Sequence, residues 1–301
     1  MVELVIEQRR RSLGGGMEVG RVLPFSKRRM VGPYIFFDHI GPMDIPAGVD
    51  RSIDVRPHPH IGLSTVTYLF SGEIMHRDSL GYEQAVRPRE VNWMTAGRGI
   101  THSERLERAR EHGDRLHGIQ AWVALPVEFE EVAPSFSHHA CAELPQWSDG
   151  GVHGQVIAGS AYGLTSGVAT HSPQFYVHLD MQRGATAEIP GGHRERAVYI
   201  ATGAVELRGV TYGAGKMLIL DERPAWIWAL EHSSVMLLGG EPVGERFVHW
   251  NFVSSSTERL AQAAADWKAG RMKLPDADDA EFIPLPEEPA LPAPATSQAS
   301  G

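Results

Sequence analysis

Two pairs of residues in this chain have the types and spacing to hold a metal ion. In Arg56-Pro57-His58-Pro59-His60-Ile61-Gly62, two histidines stand two apart between prolines. Alternate residues of an extended strand point to one face, so His58 and His60 can offer both imidazoles to one ion. The prolines favour extended geometry and cannot continue a helix. Further on, His102 and Glu104 are again two apart, just after Gly97 and Gly99, which permit a tight turn. If the pairs meet, three nitrogens and one oxygen leave positions open on a first-row divalent ion. The competing reading of Glu104 is a surface ion pair with Arg98 or Arg105. A rival carboxylate stands in His76-Arg77-Asp78, since His-x-Asp with a distant histidine is the pattern of non-haem iron sites. That segment follows the Gly72 turn and runs into Ser79-Leu80-Gly81. Asp78 is therefore read as a turn former and His76 as a pocket-wall or surface residue. His138 and His139, adjacent on a strand, would face opposite ways and are read as linker surface.

Composition agrees with nitrogen and oxygen ligation. There are 15 histidines and one cysteine, Cys141, which excludes an internal disulfide and a multi-thiolate site. The lone thiol fits a reducing compartment, and the N-terminus has no apolar core with a small-residue cleavage site, so a cytoplasmic location is expected. Apolar runs such as Ala121–Leu125 fall far short of the ~20 residues that span a membrane. A net charge of −9 argues against direct nucleic-acid binding, despite the local clusters Arg9-Arg10-Arg11 and Lys27-Arg28-Arg29.

The elements that must position these residues read as all-β. The 32 glycines and 20 prolines in 301 residues exceed the usual shares of about 7% and 5%, which means many turns and short strands. The first thirty residues read as an edge strand or arm running into a loop. Thr65–Phe70, Val91–Met94 and Ile119–Val123 are strand-like, as are Gln174–Leu179, Ala197–Ala201, Lys216–Leu220, Ala225–Leu230 and Ser234–Leu238. A weak internal repeat lays Val66–Ile74 on Ala197–Val205, with Tyr68 on Tyr199 and Gly72 on Gly203. The expected organisation is a first lobe over 1–130, a connection over 131–172 and a second lobe over 173–253. A helix over 254–272 follows, capped by Ser255 with Glu258, burying Leu260, Ala264 and Trp267 and stopped by Gly270. The tail, 273–301, is acidic and then Pro/Ala-rich. It is expected to bury little and to be disordered after about Leu285.

Four strings carry a family resemblance: Gly32–Pro42, Pro57–Leu63, Gly72–Gly81 and Asn92–Arg105. They closely resemble the pirin family of bicupins, densely in the first lobe and more loosely through Trp267–Arg271. The resemblance implies two cupin-type β-sandwich or barrel lobes in tandem, with one divalent metal, usually Fe(II), in the first. The family's ligand positions fall on His58, His60, His102 and Glu104. Counting back from Gly203 by the first-lobe intervals lands on Ile189 and Gly191, while His193 and Glu195 are out of register. The second lobe is therefore expected to be metal-free. Some pirins resemble quercetinases, in which the metal takes a flavonol's deprotonated 3-hydroxyl and O2 opens the ring with loss of carbon monoxide. That reading implies a small aromatic or enolic substrate and O2, with Glu104 staying bound or swinging off as a general base. Others are iron-dependent regulators that bind a transcription factor or metabolic enzyme. A roomy pocket reaching the metal would favour the enzyme, and a closed site beside a large exposed patch the regulator. A sugar-phosphate isomerase fits less well, because Arg98 is the lone candidate for a phosphate. Asp38 and His39 are candidates for supporting the ligand set from behind, since metal-bound histidines donate their other N–H to a neighbour.

Overall fold

The computed structural model describes residues 1–14 and 17–287. Its strands form two lobes, each a large sheet facing a small one, and the two large sheets pack back to back. In the first lobe the large sheet runs Ser135–His139, Val91–Thr95, Leu63–Ser71, Asp114–Ala124, Tyr34–Ile45, Met17–Leu23, Arg9–Gly14. The small sheet runs Val55–His60, Ile100–Arg105, Ile74–Asp78, Glu83–Val86. Strand alternation gives the large sheet two different faces. Phe36, Asp38 and Ile40 look into a cavity inside the lobe, whereas Phe37 and His39 look towards the second lobe.

The core between the lobes is built from both of them. Tyr34, Phe37, Val66, Tyr68 and Ile119 meet Tyr176, Tyr199, Ile219, Met236 and Leu238 in one buried cluster. The interior of the second lobe is a separate apolar cluster that includes Val177, Leu179, Val198, Leu218, Leu237 and Ile227. Ile189 belongs to that cluster. Glu195 accepts from the Gly32 amide at 2.6 Å and pairs with Arg28 at 3.2 Å.

The chain ends cross over. Val2–Glu7 pairs with Lys216–Leu220 in the second lobe's large sheet, so the first strand leaves its own lobe. In return, Phe252 bridges Ile61, and the Thr257–Lys268 helix packs Leu260, Ala263, Ala264 and Trp267 against the first lobe.

Several expectations are corrected. The stretch from 131 to 172 is not a bare connection: Ser135–His139 extends the first lobe's sheet, and Gln146–Asp149 and Val152–Ala161 join the second's. Its glycines are packing and turn residues; a Cβ on Gly154 would lie 2.1 Å from the Trp147 ring. The helix cap is Ser256, whose side chain accepts from the Arg259 amide. Ser255 instead donates to Glu130. The acidic segment after Lys273 is held to the first lobe, because Asp278 and Glu281 pair with the buried Arg105 at 2.7 and 3.0 Å. The disorder expected beyond about Leu285 concerns mostly residues 288–301, outside the described residues.

Candidate metal centre

The two pairs meet because their strands are neighbours. Val55–His60 lies at the edge of the small sheet, the one place where Pro57 and Pro59 cost few ladder bonds. The antiparallel register sets His102 directly opposite His58. A neighbouring pair in the ladder has its side chains on one face, and alternation adds His60 and Glu104. The rings pack at centroid distances of 4.4 Å for His58–His102 and 5.0 Å for both His58–His60 and His60–His102. Their ring nitrogens lie within 4.8 Å of one another, and all three residues are buried.

Burial also sets their protonation. It lowers His58 to about 4 and pushes His60 and His102 well below the ordinary imidazole value, with neighbouring imidazoles acting the same way. All three are neutral near pH 7, the form that ligates metals. Backbone carbonyls fix two of the tautomers. His58 Nδ1 donates to the Arg56 carbonyl at 2.9 Å, and His60 Nδ1 donates to the Asn251 carbonyl at 3.0 Å. A neutral ring has one N–H, so each of these Nε2 atoms carries a lone pair. This donor set fits a divalent first-row ion, to which it would present imidazole nitrogens in a buried pocket.

Glu104 lies outside that close trio but lines the same cavity of about 460 Å³ as His58 and His60. Burial raises its carboxyl to about 7, against a smaller opposing effect of the Thr67 hydroxyl. Thr67 also bonds Gln120 at 2.8 Å, and Gln120 is another wall of the cavity. The remaining walls are mainly apolar, with Phe36 stacked on Trp122 at 4.0 Å and 13°. Leu13 also lines the cavity and is 47% exposed, which marks where the cavity meets solvent.

The expectation that Asp38 and His39 support the imidazoles is corrected. Asp38 forms a two-pronged ion pair with Arg21 at 2.9 and 2.8 Å on the cavity wall. His39 faces the other lobe, bonding Tyr199 at 2.8 Å and His117 at 2.7 Å. Neighbouring residues on a strand cannot share a face, so the two could never have served together. The groups that hydrogen-bond the three candidate imidazoles from outside the trio are the Arg56 and Asn251 carbonyls and His76, whose Nδ1 lies 3.3 Å from His102 Nδ1. The His76-x-Asp78 spacing was the available signal for the last of these. Asn251 lies too far along the chain to leave any local signal. His138 bonds Asn92 at 2.8 Å, away from the trio.

Comparison with known proteins agrees with this architecture. Residues 16–123 match the family model described as Pirin, and residues 176–273 match that of the Pirin C-terminal cupin domain. A pirin-like protein of Caulobacter vibrioides is 59% identical over 289 residues, covering 95% of this chain and 100% of the relative. Human pirin is 30% identical, over 89% of this chain and 92% of its own. The crystal structure of a quercetin 2,3-dioxygenase from Acinetobacter baumannii superposes with a TM-score of 0.90 at 32% identity, covering 97% of this chain and 98% of that one.

Proposed function

This chain belongs to the pirin family, and on that premise we propose that it is a metal-dependent dioxygenase of quercetinase type, acting with O2 on flavonol-like enolic substrates. The observation that carries the reading is the cavity. It has about 460 Å³ of space and brings His58, His60 and Glu104 together with an aromatic wall of Phe36 and Trp122. A pocket of that size, apolar with a few convergent polar groups, is what a drug-sized planar substrate needs. It favours the enzyme over an iron-dependent regulator, for which a closed site would serve. The likeness to the A. baumannii quercetin 2,3-dioxygenase supports the same choice.

In this reading His58, His60 and His102 hold one ion, assigned as Fe(II), in the first lobe, and Glu104 faces the substrate beside it. The ion would supply Lewis acidity towards an enolic oxygen and a site for O2 chemistry. The protein's part is positioning and proton handling. Phe36 and Trp122 hold an aromatic ring flat against the wall. Glu104 takes the hydroxyl proton, with the Thr67 hydroxyl beside its carboxyl. The largely apolar walls keep bulk water from competing for the same positions. The lone thiol supports a cytoplasmic location. No helix among the described residues is long and apolar enough to cross a membrane.

The test is oxygen uptake with quercetin by anaerobically prepared, Fe(II)-loaded protein. The proposal predicts consumption of O2 with release of carbon monoxide. Stoichiometric iron without oxygen uptake on any flavonol would put the regulator ahead.

A further inference from the structure

We propose that Asp78 and His76 are positioning residues that fix the proton of His102 on Nδ1, and so aim its Nε2 lone pair at the metal. The inference rests on the metal-centre reading above and deepens it.

The argument starts at the carboxylate. Asp78 is 1% exposed, and its Oδ1 accepts from the backbone amides of Leu80 at 2.9 Å and Tyr82 at 3.2 Å. That leaves Oδ2, which lies 3.0 Å from His76 Nε2. A carboxylate oxygen accepts, so the hydrogen of His76 sits on Nε2 and its Nδ1 carries a lone pair. That lone pair lies 3.3 Å from His102 Nδ1, which must then donate. Once Nδ1 of His102 holds the proton, its Nε2 carries a lone pair too.

This outcome matters because of what Nε2 faces. His102 Nε2 lies 3.1 Å from His60 Nε2, and the one N–H of His60 is already engaged with the Asn251 carbonyl. Two buried lone pairs at that separation repel unless a cation lies between them. Without the relay, His102 would be free to put its proton on Nε2 and bond His60 instead, which closes the site to an ion. Asp78 and His76 thus raise the free energy of the closed arrangement relative to the liganded one. The His76 ring is itself held in place, stacked on Phe136 at 4.5 Å and 15°. The register adds a second constraint, with His102 opposite Asp78 and Glu104 opposite His76. All four side chains therefore share the inner face of the small sheet. Asp78 is a turn former, as its two amide bonds show, but those bonds engage only one of its oxygens.

The experiment is calorimetric titration of chelator-stripped, full-length protein with Ni²⁺, alongside thermal unfolding of each metal-free variant. In Asp78→Asn the side-chain carbonyl keeps the Leu80 and Tyr82 bonds, while the amide donates to His76 and reverses both tautomers. Ni²⁺ affinity should fall by about 10- to 100-fold, the usual effect of losing a group that orients a metal-bound histidine, with the metal-free unfolding temperature no lower than that of the wild type. A matched pair at one position guards against a folding defect in Asp78→Asn: His76→Leu should lose affinity by the same factor and His76→Gln should keep it. Wild-type affinity in Asp78→Asn, or equal affinities for His76→Leu and His76→Gln, would overturn the relay while leaving the metal centre standing. Failure of the wild-type protein to bind Ni²⁺ at all would overturn the metal centre, and the relay with it.

Discussion

Burial works against charge on Glu104 and on the three imidazoles alike, yet to different ends. For the histidines, burial keeps the lone pairs that a metal needs; for Glu104 it places the carboxyl at about 7. Glu104→Gln keeps the shape and removes the proton acceptor. Oxygen uptake with quercetin should then fall by about 10²- to 10⁴-fold, the usual worth of a positioned general base, while His58, His60 and His102 remain to bind metal. Unchanged uptake would remove Glu104 from the chemistry. At this scale much could be read from the amino-acid order, because period-two spacing is local: His58 with His60, and His102 with Glu104. What could not be read depends on contacts across the fold. The carbonyl that orients His60 belongs to Asn251, and the turn-forming reading of Asp78 accounts for only one of its two oxygens.

Among the elements, the C-terminal arm bears most directly on the centre. Gly62, two residues after His60, has φ +68°, and a Cβ there would lie 2.0 Å from the Val253 carbonyl. Only glycine lets the arm cross so close to the ligand strand. Gly62→Ala should therefore cost on the order of 1–3 kcal/mol in stability, from strained backbone and a backbone clash. It should also weaken Ni²⁺ binding, because displacing the arm moves the Asn251 carbonyl from His60. Urea denaturation and a Ni²⁺ titration check the two effects, and a variant with both values unchanged would refute this account of the arm. The segment beyond the helix continues the same wrap. Ile283 donates its amide to the Pro57 carbonyl and lines the cavity, and the Trp267 indole donates to the Ile283 carbonyl. Its acidic, proline-rich composition pointed away from such docking, because the buried partner, Arg105, lies far off in the chain.

For the molecule as a whole, two lobes are joined by a core that carries matching polar pairs. The Tyr68 hydroxyl lies 2.7 Å from Gln155 and 2.8 Å from His178, and the Tyr199 hydroxyl 2.9 Å from Gln8 and 2.8 Å from His39. The repeat seen in the sequence, Tyr68 on Tyr199, marks this pseudo-symmetric pairing. The exchange of chain ends left no such mark, since Val2–Glu7 is a plain alternating strand that could pair with either lobe. Burial lowers both His39 and His178 from 6.5 to about 3. Between those values the unfolded chain binds protons that the folded lobes do not, so stability is full above pH 6.5 and is lost as pH falls. Each group contributes up to ~1.4 kcal/mol per pH unit in that window. Urea midpoints at pH 7.5 and 5.5 should show the loss, and His178→Asn should make it shallower; an equal slope in the variant would contradict this role for the interface. The central claim, one metal ion held by three histidines of the first lobe, is tested most directly by metal content after anaerobic purification. One equivalent of metal in the wild-type protein and almost none in His58→Ala is the predicted result. Full metal content in His58→Ala would show that the ion is held elsewhere.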